Sequence, residues 1–207
     1  MRRRLYRDSP GFRANALALA TMLLDAPGDL ALMLDEEGKR KFTIDQLQGM
    51  TPLKRQQELQ QAAQANLNLG LDIVRLLQKQ APGDATLALM KARSLGRFGK
   101  IKDGEDSLRA DIAAVPPEGR RMLWIGLGAY LAEAGLPERS AEPFAEAVKL
   151  QGKDEHDAEI QIADFWFSRQ QWQRARAALE PAVQAMSGER QASLALRLAE
   201  ICQNLRD

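Results

Sequence analysis

Apolar residues return every three or four positions through most of this chain, which is the spacing of one helical face and not of a strand. Thr51 and Pro52 supply an N-cap and a first-turn proline. Behind them Leu59, Ala63, Leu67, Gly70, Val74 and Leu77 form a stripe that stops at Pro82-Gly83-Asp84. This stretch reads either as one long helix or as a degenerate helical hairpin. Gly70, Val74, Leu77 and Pro82 match the second helices found later in the chain, which favours the hairpin. Ala88, Ala92, Leu95 and Gly99 predict a helix and its stop, and Gly104, Leu108, Ile112 and Pro116 its partner, with Lys91 breaking the apolar face. Trp124, Leu127, Gly128 and Leu131 predict the first helix of a clearer hairpin. Gly135 ends it, Pro137 opens the next, and Ser140, Phe144, Ala147 and Val148 form the inward face of the second helix. Ile162, Ala163, Trp166, Trp172, Ala175, Leu179 and Ala182 repeat that pattern. Ala195, Leu198, Ala199 and Cys202 begin it once more. Starts near 51, 85, 121, 156 and 192 lie 34 to 36 residues apart.

The first fifty residues lack this pattern and are expected to form an irregular helical N-terminal cap. Arg2, Arg3, Arg4, Arg7 and Arg13 precede an apolar run from Ala16 to Leu24. The run predicts a helix with Leu17, Ala20, Met22 and Leu24 inward. Basic then apolar is also the order of a secretory signal, but Asp25, Pro27 and Gly28 follow without an A-x-A site. Pro27-Gly28-Asp29 breaks the helix, Leu30 to Leu34 suggest a short second one, and Thr43 opens a third.

Composition narrows the chemistry. Of 207 residues, 45% are hydrophobic and 28% charged, as in an ordinary folded chain. The net charge of +1 gives no field that would steer the protein to nucleic acid. One histidine and one cysteine exclude His/Cys metal clusters and an internal disulfide. A single free cysteine fits a bacterial cytoplasm; the periplasm or secretion is the alternative if residues 1–26 act as a signal. No apolar run reaches the length of a membrane span, roughly 20 residues. There is no G-x4-G-K-[ST] motif. Gly96 and Gly99 read as helix-end glycines, His156 as a helix-start residue, Cys202 as core or interface, and Glu36 with Glu37 as solvated.

The ladder Trp124, Leu127, Gly128, Leu131, Gly135, Ser140, Phe144, Ala147 resembles that of a tetratricopeptide repeat. Leu131 stands where that family prefers Tyr, and Ser140 where it prefers Ala. Trp166 matches the family's Tyr, while Glu159 replaces its Trp. The resemblance is fullest over 121–191, fair over 85–120 and weak elsewhere. It implies an all-α fold, a right-handed α-α superhelix over residues 51–207 behind the cap. The units would be 51–84, 85–120, 121–155, 156–191, and 192–207 as a partial repeat or capping helix.

The same resemblance implies a noncatalytic scaffold that holds a partner protein or peptide in a concave groove, without cofactor or metal. The alternatives are a self-assembling structural module, associating through the ends of the solenoid, or the repeat segment of a larger protein. In this family the first helix of each hairpin lines the groove. The matching positions are Arg55 and Leu59, then Leu89, Arg93 and Arg97, then Ile125, Ala129 and Glu133, then Ile160, Asp164 and Phe167. The Lys and Asn clamp that some relatives use for a C-terminal carboxylate is missing. The arginines lie toward one end and the acids toward the other, so the expected ligand is a peptide whose acidic part sits near Arg93 and Arg97. Simple solvation of the groove by these charges is the alternative.

Overall fold

The computed structural model describes residues 13–25, 43–152 and 155–205. Every described element is a helix. In order these are α1 (Arg13–Asp25), α2 (Ile44–Gln48), α3 (Pro52–Gln80), α4 (Ala85–Arg97), α5 (Ile101–Ala114) and α6 (Pro117–Glu133). A 3-10 turn (Pro137–Ser140) leads to α7 (Ala141–Lys149), α8 (Asp157–Phe167), α9 (Trp172–Ala185) and α10 (Gly188–Asn204). The chain divides into two compact units, Met1–Gly104 and Glu105–Asp207. The short helix expected at Leu30–Leu34 and the break at Pro27-Gly28-Asp29 lie outside the described residues.

In the first unit the expected caps are in place. Thr43 caps α2 in a reciprocal capping box with Gln46. Thr51 caps α3 by accepting from the Lys54 N–H at 3.4 Å. The hairpin expected over 51–84 is overturned: α3 runs unbroken for 29 residues. No glycine or proline lies between Pro52 and Gly70. The asparagines there cost at most about 0.7 kcal/mol each in a helix, too little to end it.

The stripe on the second half of α3 was legible, but its partner is α1. Ala16, Ala20, Leu23 and Leu24 of α1 share a buried cluster with Leu67, Leu71, Ile73, Val74 and Leu77 of α3. Leu17 and Met22, expected inward, are only half-buried. The two helices come close at Gly70, where a Cβ would sit 2.6 Å from Leu24 Cδ2. Helix α4 starts at Asp84, whose carboxylate accepts from the Thr86 and Leu87 N–H groups at 3.0 and 3.2 Å. Two ion pairs align α4 with α1: Arg13 to Asp84 at 2.6 Å and Arg97 to Asp25 at 2.8 Å. They tie the starts of both helices together, and also their ends, so α1 and α4 run parallel. Lys91, which breaks the apolar face, donates to Gln78 Oε1 at 3.2 Å.

In the second unit two hairpins repeat one another position by position. Leu127, Gly128 and Leu131 on α6 are buried, as are Ile162, Ala163 and Trp166 on α8. Ser140, Phe144 and Ala147 are buried at and beyond the turn, and so are Ala175, Leu179 and Ala182 on α9. The turn repeats too. Gly99, Gly135 and Gln170 stand 35 or 36 residues apart and all hold left-handed φ, at 74°, 80° and 57°. Gln170 shows that the turn geometry is imposed by the hairpin, since glycine alone adopts it without penalty.

Gly128 is small because the Phe144 ring occupies the space a Cβ would fill. Phe144 also lies 5.8 Å from both Phe165 and Trp166, edge-on to the latter. Successive hairpins are further tied by ion pairs that span about one repeat. Glu105 pairs with Arg139, Glu133 with Arg169, Glu138 with Arg174, Asp157 with Arg190, and Asp164 with Arg197, over 33 to 36 residues.

Two substitutions test this packing. Phe144→Ala is expected to destabilise the second unit by about 3–5 kcal/mol, and Leu24→Ala the first by about 2–5 kcal/mol. Urea titrations followed by circular dichroism check both. An unchanged midpoint for Leu24→Ala would remove α1 from the core.

Candidate partner-binding face

The first helices present their positions to very different surroundings. In the first unit Arg55, early on α3, and Arg93, on α4, are exposed, while Leu59 and Leu89 are half-buried. Arg97 is held inside the unit. Its Nη1 pairs with Asp25 at 2.8 Å and donates to the Leu24 carbonyl at 3.2 Å. It therefore serves as a C-terminal tie for α1, and a ligand carboxylate would have to displace Asp25.

In the second unit Ile125 and Ala129 are corrections. They are 9% and 7% exposed and belong to the interior, Ile125 within the cluster that includes Phe144, Ile162 and Trp166. The cause is α6 itself. From Leu123 to Leu131 every residue except Trp124 is buried, so this stretch of the helix leaves Ile125 and Ala129 no free surface.

Glu133 pairs with Arg169 at 2.6 Å, and the Arg169 guanidinium lies 3.8 Å from the centre of the Phe165 ring. Asp164 meets Arg197 at 2.5 Å, and Arg197 lies 5.2 Å from the centre of the Phe167 ring. Phe167 in turn packs edge-on against Trp172. Ile160 is half-buried. The expected gradient of free charges is thus largely internal pairing: Arg97, Glu133 and Asp164 each have a partner in their own unit.

Burial raises the Asp164 pKa above its ordinary value, and the positive charge of Arg197 only partly opposes this. Oxygen Oδ1 is fully occluded and makes no aligned hydrogen bond. Elsewhere in the unit Arg109 donates to both oxygens of Glu142, which lowers the Glu142 pKa and raises that of Arg109. Glu105, 5% exposed, accepts from Arg109 Nε at 3.2 Å and Arg139 Nη2 at 2.7 Å. Arg109 and Glu142 lie largely at the surface, where such a pair contributes about 0–1 kcal/mol, whereas the buried Glu105 is held by both arginines.

The structure adds residues that the periodicity alone did not place. Leu196 is 75% exposed and occupies, on α10, the register position of Ile125 and Ile160. The alignment of starts at 121, 156 and 192 contained that signal. Glu159, which stands where the ladder has Trp, is buried and satisfied. It accepts from Gln151 Nε2 and lies 3.4 Å from His156 Nδ1. No described helix is long and apolar enough to cross a membrane.

Asp164 sets a pH test. A carboxyl whose folded pKa is raised contributes most below the ordinary aspartate pKa, and that contribution is lost as pH rises through the folded value. Asp164→Asn removes the loss. Its melting temperature relative to wild type should therefore climb as pH rises from about 3 to 7. A difference that stays flat with pH would show that the carboxyl is not desolvated.

Comparison of the chain with protein-family models, curated proteins and solved structures returns no match.

Proposed function

We propose that this protein is a noncatalytic scaffold of tetratricopeptide-like hairpins, a right-handed superhelix whose first helices receive a partner peptide or protein. The observation that carries this reading is the position-by-position equivalence of the hairpins 117–149 and 157–185. Buried residues coincide, and left-handed turn residues Gly135 and Gln170 stand at the same place. Repetition of a hairpin that cannot bury its own faces is the hallmark of solenoids, and solenoids present extended surfaces for binding.

Leu89, Arg93, Ile160, Phe167 and Leu196 remain at the surface of the first helices. Ile160, Phe167 and Leu196 of the second unit suit a segment recognised mainly through apolar side chains, and Arg93 of the first unit suits one that carries an acidic residue. Pairing within the chain makes Arg97 a weaker part of that surface.

The test is selection of displayed peptides on the full chain, followed by titration of the enriched peptide. Leu196→Asp and Arg93→Glu, both at exposed positions, should keep the wild-type circular dichroism. Leu196→Asp should abolish binding, and Arg93→Glu should weaken peptides that carry an acid. Failure to enrich any peptide, with a mass that rises with protein concentration, would replace this reading with the self-assembling module.

A further inference from the structure

We propose that copies of this chain associate head to tail, the exposed start of α3 in one copy docking on the ridge of Glu189, Leu196 and Glu200 on α10 of the next. The proposal rests on the reading of Leu196 as a partner-binding position and names a second copy as what fills it.

The net charge of +1 conceals an unequal division. Residues 1–104 hold 17 lysines and arginines against 11 aspartates and glutamates, and residues 105–207 hold 12 against 17. Internal ion pairs sharpen this division. In the second unit every described lysine and arginine except Arg120 pairs with a carboxylate of that unit. Arg120 donates to the Val115 carbonyl at 2.7 Å. Asp106, Glu118, Glu189 and Glu200 are exposed and stand outside these pairs. In the described part of the first unit the remainder has the opposite sign. Lys54, Arg55, Lys79, Lys100 and Lys102 are exposed and outside its ion pairs, against Asp45 and Asp103. Each unit thus turns to solvent a charge that the opposite unit of a neighbouring copy can meet.

Exposed apolar residues locate the contact. Leu53 is 68% exposed and Leu196 75%, the most exposed large apolar side chains described in their units. Leu53 stands beside Lys54 and Arg55 in the first turn of α3, and no acid shares that turn. Thr51 to Gln57 are all exposed, so this end of the helix is open to a neighbour. On α10, Leu196 lies seven residues after Glu189 and four before Glu200, spacings that put all three on one helical face. One surface is a leucine rimmed by cations, and the other is a leucine rimmed by acids. An apolar centre inside a rim of complementary charge is how specific interfaces are built.

The chain itself therefore supplies both halves of the contact. Because they lie on different elements, the contact is heterologous: a copy that docks on one neighbour can receive another.

Sedimentation velocity of the full chain at low ionic strength tests this. The mass should rise from the 23.0 kDa of one chain to at least twice that value as concentration increases. It should fall back when salt is added to about 0.5 M. Lys54→Glu/Arg55→Glu and Glu189→Lys/Glu200→Lys, all at exposed positions, should keep the wild-type circular dichroism and each stay monomeric alone. Mixed in equal amounts the two variants should associate again, since each then meets the charge it lacks. A wild-type chain that stays monomeric at every concentration overturns the proposal. So does association that neither pair of substitutions weakens, or a mixture that remains monomeric. A monomeric chain that still enriches a displayed peptide removes this proposal alone and leaves the peptide reading in place. Association that both variants abolish, with no peptide enriched, does the reverse.

Discussion

A helix that is apolar on all sides must have neighbours on all sides. Helix α6 is such a helix: Leu123, Ile125, Gly126, Leu127, Gly128, Ala129, Tyr130 and Leu131 are all buried. One partner, α7, covers only part of it. Ile125 faces a cluster that also contains Ala158, Ile162 and Trp166 of α8. The hairpin 117–149 is therefore not a free-standing unit but demands another behind it, and its glycines and alanine allow those neighbours to come close. Helix α7 is the contrast. It buries one face, with Phe144 and Ala147, and leaves Ala141, Glu142 and Ala145 to solvent.

How far the sequence revealed this depended on whether a feature was local. Gly128, Phe144 and Gly135 lie within one hairpin, and their spacing alone predicted both the close approach and the turn. The extent of α3 was harder to read, because a Gln-rich helix continues just as well as it stops and only a glycine or proline would have decided it. The partnership of α1 with the second half of α3 was hidden for another reason. Its residues are separated by a long intervening segment, whereas the stretch that begins at Thr51 is adjacent in sequence and stood as the expected partner of Gly70 and Val74. Gln170 was invisible as a turn residue, since nothing in its side chain asks for a left-handed backbone.

The candidate face was legible as a set of positions but not as an environment. A ladder assigns Ile125 and Ile160 to equivalent places, yet one is 9% exposed and the other half-buried, because α6 is enclosed more completely than α8. The charges misled in a similar way. Arg97, Glu133 and Asp164 looked like a gradient awaiting a ligand. Acids and arginines about one repeat apart are brought side by side when hairpins stack, so the same spacing that marks the repeat also neutralises its surface. What remains for a partner is chiefly apolar, and Leu196 is its most exposed member in the second unit.

The two units also differ in how far along the chain their contacts reach. In the second unit the ion pairs between successive hairpins join residues 33 to 36 apart, so a hairpin and its neighbour can associate soon after both exist. In the first, α1 meets α4 through pairs separated by 71 and 72 residues. Doubling a closed loop adds only about 0.6 kcal/mol of entropy cost, but non-local contacts are slower to form. During synthesis α1 leaves the ribosome first and yet must wait for Asp84 and Arg97 before it is fastened at both ends. Its apolar face stays uncovered until Leu67 to Leu77 of α3 have followed, and uncovered apolar surface of that kind is what chaperones shield during translation.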